Sequence, residues 1–206
     1  LALGRVALAA PALDTGSPFG GMGSSREMTI AALAEPALML GLFTSALAAG
    51  SLDLGAVVRS ELVPGVLFRP SDILALSGLF LVLIAETGRI PVDNPATHLE
   101  LTMLHEALVL RYSGPDLALV EWASAPKELL YITLLIDLFV PVGITTTVAA
   151  APLALSVAAW VLKVFVFCVA ITLVETTNAK LRLFRVPELV AVSLGLGFIG
   201  LAIRFL

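Results

Sequence analysis

Five predominantly apolar runs of 17 to 24 residues follow one another along the chain: Met28–Gly50, Pro70–Glu86, Leu117–Val140, Pro152–Val174 and Pro187–Leu206. About 20 such residues in a helix cross the hydrocarbon core of a bilayer. Inside lipid the backbone must satisfy its own polar groups, so each run is confined to a helix. The opening stretch LALGRVALAAPAL is also apolar, interrupted by Arg5, and lacks a basic region leading to a small-residue cleavage site. It reads as the tail of a spanning helix whose start lies upstream. The expectation is an all-α polytopic transmembrane bundle of about five to six spans, with residues 1–206 forming a single transmembrane domain.

Composition excludes the main alternative. The chain is 59% hydrophobic and 14% charged, with a mean hydropathy of +1.02. Soluble domains carry about 25% charged residues, so this chain has too little polar surface to coat a soluble enzyme. The net charge of −4 is unclustered and speaks against nucleic-acid binding. The single cysteine, Cys168, lies in an apolar run and is expected to pack as a small hydrophobe. One cysteine builds neither an internal disulfide nor a four-cysteine iron–sulfur cluster. The chain is therefore expected to hold no redox centre of its own.

Basic residues orient the spans. Arg26, Arg89, Arg111, Lys180, Arg182 and Arg185 fall in loops 14–27, 86–116 and 175–186, against Arg59 and Arg69 in loops 51–69 and 141–151. The positive-inside rule puts the first set in the cytoplasm. Pro36, Pro126 and Pro152 fall within or at the start of helices, which membranes tolerate. Ser71 is expected to cap the second run.

Two groups of polar residues stand out. Glu35, Glu121, Lys127, Glu128, Asp137 and Lys163 lie in apolar runs. A charge at a helix centre costs a few kcal/mol on insertion scales, so these groups must pair, hold protons or face water. Glu121 and Glu128 are two turns apart on one face, with Lys127 and Lys163 as counter-charges. They read as an ion or proton relay, or as structural pairs and snorkelling residues. The second group is the segment Glu86–Asp116, which bends at Pro91 and Pro95 and continues as a short helix from about Ala96 to Leu110. There His98 and His105 share a face, with Thr102 and Glu106 nearby. This pattern admits a metal site but fits a docking helix better, because a spacing of seven is no ligand signature. Asn94-Pro95-Ala96 lacks the second tripeptide that a water channel requires. The glycine-rich GSPFGGMGSSRE lacks the lysine of a phosphate loop. The segment 175–188 is a basic helix end, an anchor or a docking surface.

Three blocks carry a resemblance: LDTGSPFGGMGSSREMTIAALAEPAL (13–38), ETGRIPVDNPATHLELTMLHEALVLRYSGPDLALVEWA (86–123) and ETTNAKLRLFRVPEL (175–189). The chain resembles the subunit 1 family of respiratory complex I. Within it, the chain looks like the branch found in membrane-bound group 4 nickel–iron hydrogenases, the formate hydrogenlyase subunit 4 and hydrogenase-4 component C type. Glu86, Thr87, Arg89, Pro91, Asp93 and Pro95 match the complex I pattern Glu-Thr-x-Arg-x-Pro-Phe-Asp-x-Pro. Val92 stands in place of the Phe, HEALVL is similar to the hydrogenase branch, and Arg111 stands where both branches have Glu before Tyr-Ser-Gly.

The resemblance implies an eight-span fold lacking its N-terminal spans here. It implies that Arg26, Glu27 and Glu35 line the entry to an interior polar path. Glu86, Arg89, Asp93 and Glu100 would face the peripheral arm, and His105, Glu106, Lys180, Arg182 and Arg185 are candidates for the same interface. The expected function is a membrane anchor and coupling subunit of a complex I-like hydrogenase, linking electron transfer to proton or sodium movement. Its expected partners are antiporter-like membrane subunits and the peripheral hydrogenase large and small subunits, which would carry the nickel–iron centre and iron–sulfur clusters. Two alternatives stay open: a quinone-site subunit of complex I, and a transporter or purely structural anchor. A transporter would show repeated halves or paired broken helices, and an inert anchor would need no buried charge.

Overall fold

The apolar runs become helices whose ends lie close to where their prolines and charges put them. A computed structural model describes residues 2–14, 16–62, 69–93, 108–109, 112–145, 149–179 and 185–205. Among the described residues there are seven helices and no strand: α1 (Ala2–Asp14), α2 (Pro18–Ala49), α3 (Leu54–Glu61), α4 (Pro70–Glu86), α5 (Pro115–Phe139), α6 (Ala150–Thr177) and α7 (Val186–Phe205). Three of them, α2, α6 and α7, are long and apolar enough to cross a membrane. The 17 residues of α4 sit at the lower limit of spanning length. Helix α5 is long enough but carries Asp116, Glu121, Lys127, Glu128 and Asp137.

Three features depart from the sequence reading. Residues 18–27, read as part of a cytoplasmic loop, are the first turns of α2. Ser17 caps that helix by accepting a hydrogen bond from the Gly20 N–H at 3.0 Å, and Pro18 occupies the first turn. Within the segment read as loop 51–69, Asp53 caps α3 by accepting from the Ala56 N–H at 2.9 Å. Ser71 does not cap α4: the helix already includes Pro70, its N-cap is Arg69, and the Ser71 hydroxyl donates to Asp72 Oδ1 at 3.3 Å.

The tightest packing joins α2, α4 and α7. Lipid supplies no hydrophobic drive between helices, so small residues that let backbones approach do this work. A Cβ on Gly78 of α4 would stand 2.9 Å from the Ser193 carbonyl oxygen of α7, and one on Gly200 would stand 3.0 Å from the Ser71 carbonyl oxygen. These paired positions run in opposite senses along α4 and α7, so the two helices are antiparallel. Around them Leu79, Val82, Leu83, Ile84, Val92, Tyr131, Ile136 and Val190 form one buried core. Helix α6 lies at the periphery, with Ile171 its one buried residue among those described. Cys168 is accordingly exposed on α6 rather than packed as an interior hydrophobe.

Candidate charge-coupling site

Glu86 closes α4 at the negative end of the helix dipole, where a carboxylate is disfavoured unless cations compensate. Two do. Arg5 of α1, 4% exposed, pairs with the 2%-exposed Glu86 side chain through its Nη2. Lys127 Nζ of α5 lies 3.3 Å from Glu86 Oε2 and donates to the Glu86 backbone carbonyl at 2.8 Å, satisfying an acceptor at the helix end. The other guanidinium nitrogen of Arg5, Nη1, donates to Glu35 Oε1 of α2 at 3.1 Å. Two cations and two carboxylates thus form a neutral cluster joining α1, α2, α4 and α5. The buried Tyr131 hydroxyl stands beside Arg5 and Glu86 without a hydrogen bond of good geometry among the described residues.

The chain leaves this cluster through a tight turn. Gly88 adopts φ +61°, a left-handed conformation costly for residues with a Cβ, and the Arg89 N–H donates to the Ile84 carbonyl at 3.1 Å. That turn aims Arg89 back at the helices. Its Nη2 donates to Glu128 Oε2 of α5 at 2.7 Å, and its Nη1 lies 3.6 Å from Glu175 Oε1 of α6. The hydrogen bond to Glu128, helped by both carboxylate charges, holds the Arg89 guanidinium pKa above its ordinary value. The turn therefore grips α5 and α6 while its first residues remain continuous with Glu86. Arg89 is 41% and Glu128 21% exposed, so water screens the pair. A double-mutant cycle on Arg89→Gln and Glu128→Gln is expected to give a stability coupling below about 1 kcal/mol. A larger coupling would mean the pair is sealed from solvent in the assembled protein.

Residues expected from sequence distribute as follows. Glu35, Lys127 and Glu86 meet in the Arg5 cluster, and Glu128 meets Arg89. Glu27 is half-buried and feels the charges of Lys127, Glu86, Arg5 and Asp93. Asp93 is 4% exposed at the end of the turn. Arg26 is half-buried and Arg185 exposed. Glu121 is exposed and does not share the pairs made by Glu128. Lys127 compensates Glu86 rather than Glu121. Asp137 and Lys163 interact electrostatically further along α5 and α6, where Lys163 Nζ donates to the Val140 carbonyl at 3.1 Å. Glu100, His105, Glu106, Lys180 and Arg182 lie outside the described residues, as do His98, Thr102, Arg111 and the Asn94-Pro95-Ala96 tripeptide. Among the described residues no three His, Cys, Asp or Glu side chains group to hold a metal ion.

Sequence reasoning missed Arg5, Tyr131 and Glu175 as participants. Arg5 was legible only as a charge interrupting an apolar run, and its partners lie 30 and 81 positions away. Glu175 opens the third block quoted above and carried that signal alone.

Comparison with known proteins matches the NADH dehydrogenase family profile to residues 1–204. Hydrogenase-4 component C of Escherichia coli (strain K12) is 36% identical over 182 residues, covering 88% of this chain and 56% of that protein. Formate hydrogenlyase subunit 4 of the same organism is 31% identical over 206 residues, covering 97% of this chain and 64% of that protein. The chain thus spans less than two thirds of the length of either relative.

Proposed function

The chain belongs to the NADH dehydrogenase family, and on that premise we propose that it is the membrane anchor and coupling subunit of a complex I-like hydrogenase of the formate hydrogenlyase type. In this reading the segment 86–116 docks the peripheral arm, whose large and small hydrogenase subunits carry the nickel–iron centre and iron–sulfur clusters. Antiporter-like subunits flank the chain in the cytoplasmic membrane, with segments 14–27 (which include the first turns of α2), 86–116 and 175–186 on the cytoplasmic side. One observation carries the reading. The turn Thr87–Asp93 is continuous with buried Glu86, paired with buried Arg5 and half-buried Lys127, and its Arg89 also holds Glu128 and Glu175. A displacement of the turn by a partner subunit is thereby passed to charges inside the bundle. Redistributed charge there changes the electrostatic potential along the interior path, which is the physical requirement for moving a proton or sodium ion.

The test uses the full-length protein in its complex, reconstituted in vesicles and driven by electron transfer. Glu35→Gln and Asp93→Asn are expected to cut ion translocation at least tenfold while the complex still assembles. Unchanged translocation in both variants would contradict the coupling role. The match of the NADH dehydrogenase profile along nearly the whole chain favours a second reading, a quinone-site subunit. That reading expects electron transfer to be sensitive to quinone-site inhibitors, and the first does not.

A further inference from the structure

A second pair of buried carboxyls sits at the opposite end of α4. Asp72 precedes Glu86 by 14 residues, about 21 Å along the helix axis at 1.5 Å per residue. It is 8% exposed, and Glu61, the last residue of α3, is 6% exposed. Between the two ends Ala75, Leu79, Val82 and Leu83 are buried apolar residues, so the pair does not continue the Glu86 cluster along α4. Glu61 Oε1 and Asp72 Oδ2 are both buried without a hydrogen-bond partner among the described residues. The cations near them are Arg69, just before α4, and Arg204, in the last turn of α7. Among the described residues neither forms a salt bridge with these carboxyls, although their charges reach both. The charge of Asp72 also acts on Glu61.

A buried carboxylate with an unused oxygen and no ion-pair partner is costly. Protonation removes the charge and turns one acceptor into a donor that a neighbouring carboxylate oxygen can receive. We propose that Glu61 and Asp72 form a proton-holding carboxyl pair at the end of the bundle opposite Glu86, with Glu61 as the protonated member because Asp72 already accepts a hydrogen bond from the Ser71 hydroxyl. The pair takes one proton from the water at that end and returns it there as Glu61 ionises. Arg69 and Arg204 set how readily it does so, because each favours the ionised form.

The Glu61 pKa is pushed up by burial and then by the Asp72 charge, against the lowering effect of Arg69 and Arg204. The folded state therefore binds more protons than the unfolded one from the ordinary carboxyl range upward. Stability falls as pH rises through that window and levels off above the raised value. Thermal unfolding in detergent is expected to show a shallower slope in Glu61→Gln than in wild type.

The direct test is infrared difference spectroscopy of the full-length protein in its purified complex, titrated with pH. Wild type should show a protonated-carboxyl C=O band that persists where exposed carboxyls are ionised. Glu61→Gln should abolish it. Asp72→Asn should move its titration to lower pH, since a like charge is removed. Glu121→Gln, at an exposed carboxyl of α5, should leave it in place. A band unaffected by both Glu61→Gln and Asp72→Asn would overturn the proposal. So would a wild-type band displaced by sodium chloride but not by potassium chloride at fixed pH, which would make the occupant a sodium ion.

Discussion

Glu86→Gln is expected to be the most damaging single change in the charge cluster, lowering stability by about 3 kcal/mol and abolishing ion translocation. The substitution keeps shape and removes the charge that compensates Arg5 and Lys127. Removing one partner of a buried ion pair costs about 3–5 kcal/mol, because the other charge stays buried. The lower end applies here. Arg5 retains Glu35 at 3.1 Å, and the Lys127 side chain is 28% exposed and reaches water. Thermal unfolding of the purified full-length protein gives the size of the loss. The double variant Arg5→Gln/Glu86→Gln should be less destabilised than the sum of the two singles, since it removes the orphaned charge along with its partner. Strict additivity would mean that Arg5 and Glu86 do not depend on each other in the assembled protein.

Gly78→Val is expected to break the packing of α4 on α7. A Cβ at this position would stand 2.9 Å from the Ser193 carbonyl oxygen and 3.4 Å from the Gly197 nitrogen. Both are backbone atoms, so no side-chain rotation relieves the clash and the helices must separate. Overpacking of a close contact costs about 1–3 kcal/mol, and a branched side chain lies at the upper end. Gly195→Ala is the matched control in α7, where an added Cβ meets nothing within 4 Å. It should be neutral or slightly stabilising, because Ala favours a helix by about 1 kcal/mol over Gly. Melting temperatures of the two variants in the same detergent check the contrast. Equal melting temperatures would show that the α4–α7 approach is not tight in the protein.

The spans were legible because lipid imposes length and composition together. The runs Pro70–Glu86, Leu117–Val140 and Pro187–Leu206 correspond to α4, α5 and α7 within two residues at each end. What escaped the reading escaped for physical reasons. The glycine- and serine-rich stretch 18–27 has the composition of a loop by helix propensity. In the protein those small residues let α2 approach α1, with the Ser24 hydroxyl donating to the Ala9 carbonyl at 3.2 Å. Helix α3, of eight residues, was too short to register as an apolar run. The partners of the intramembrane charges were the least legible. Glu121 and Glu128 share a helical period, yet Glu128 is claimed by Arg89 from a turn 39 positions earlier and Glu121 is left exposed. Helical spacing tells which side chains share a face, not which element packs against it. Glu61 and Asp72 escaped notice because one lay in a segment read as loop and the other in the first turn of a span.

The measurement that bears most directly on the coupling-subunit reading is gentle detergent extraction of the full-length tagged protein, with metal analysis and redox assays on what co-purifies. Nickel, iron and hydrogen evolution in the recovered complex is the expected result. Flavin with quinone-dependent NADH oxidation, or recovery of the chain without any redox partner, would contradict it.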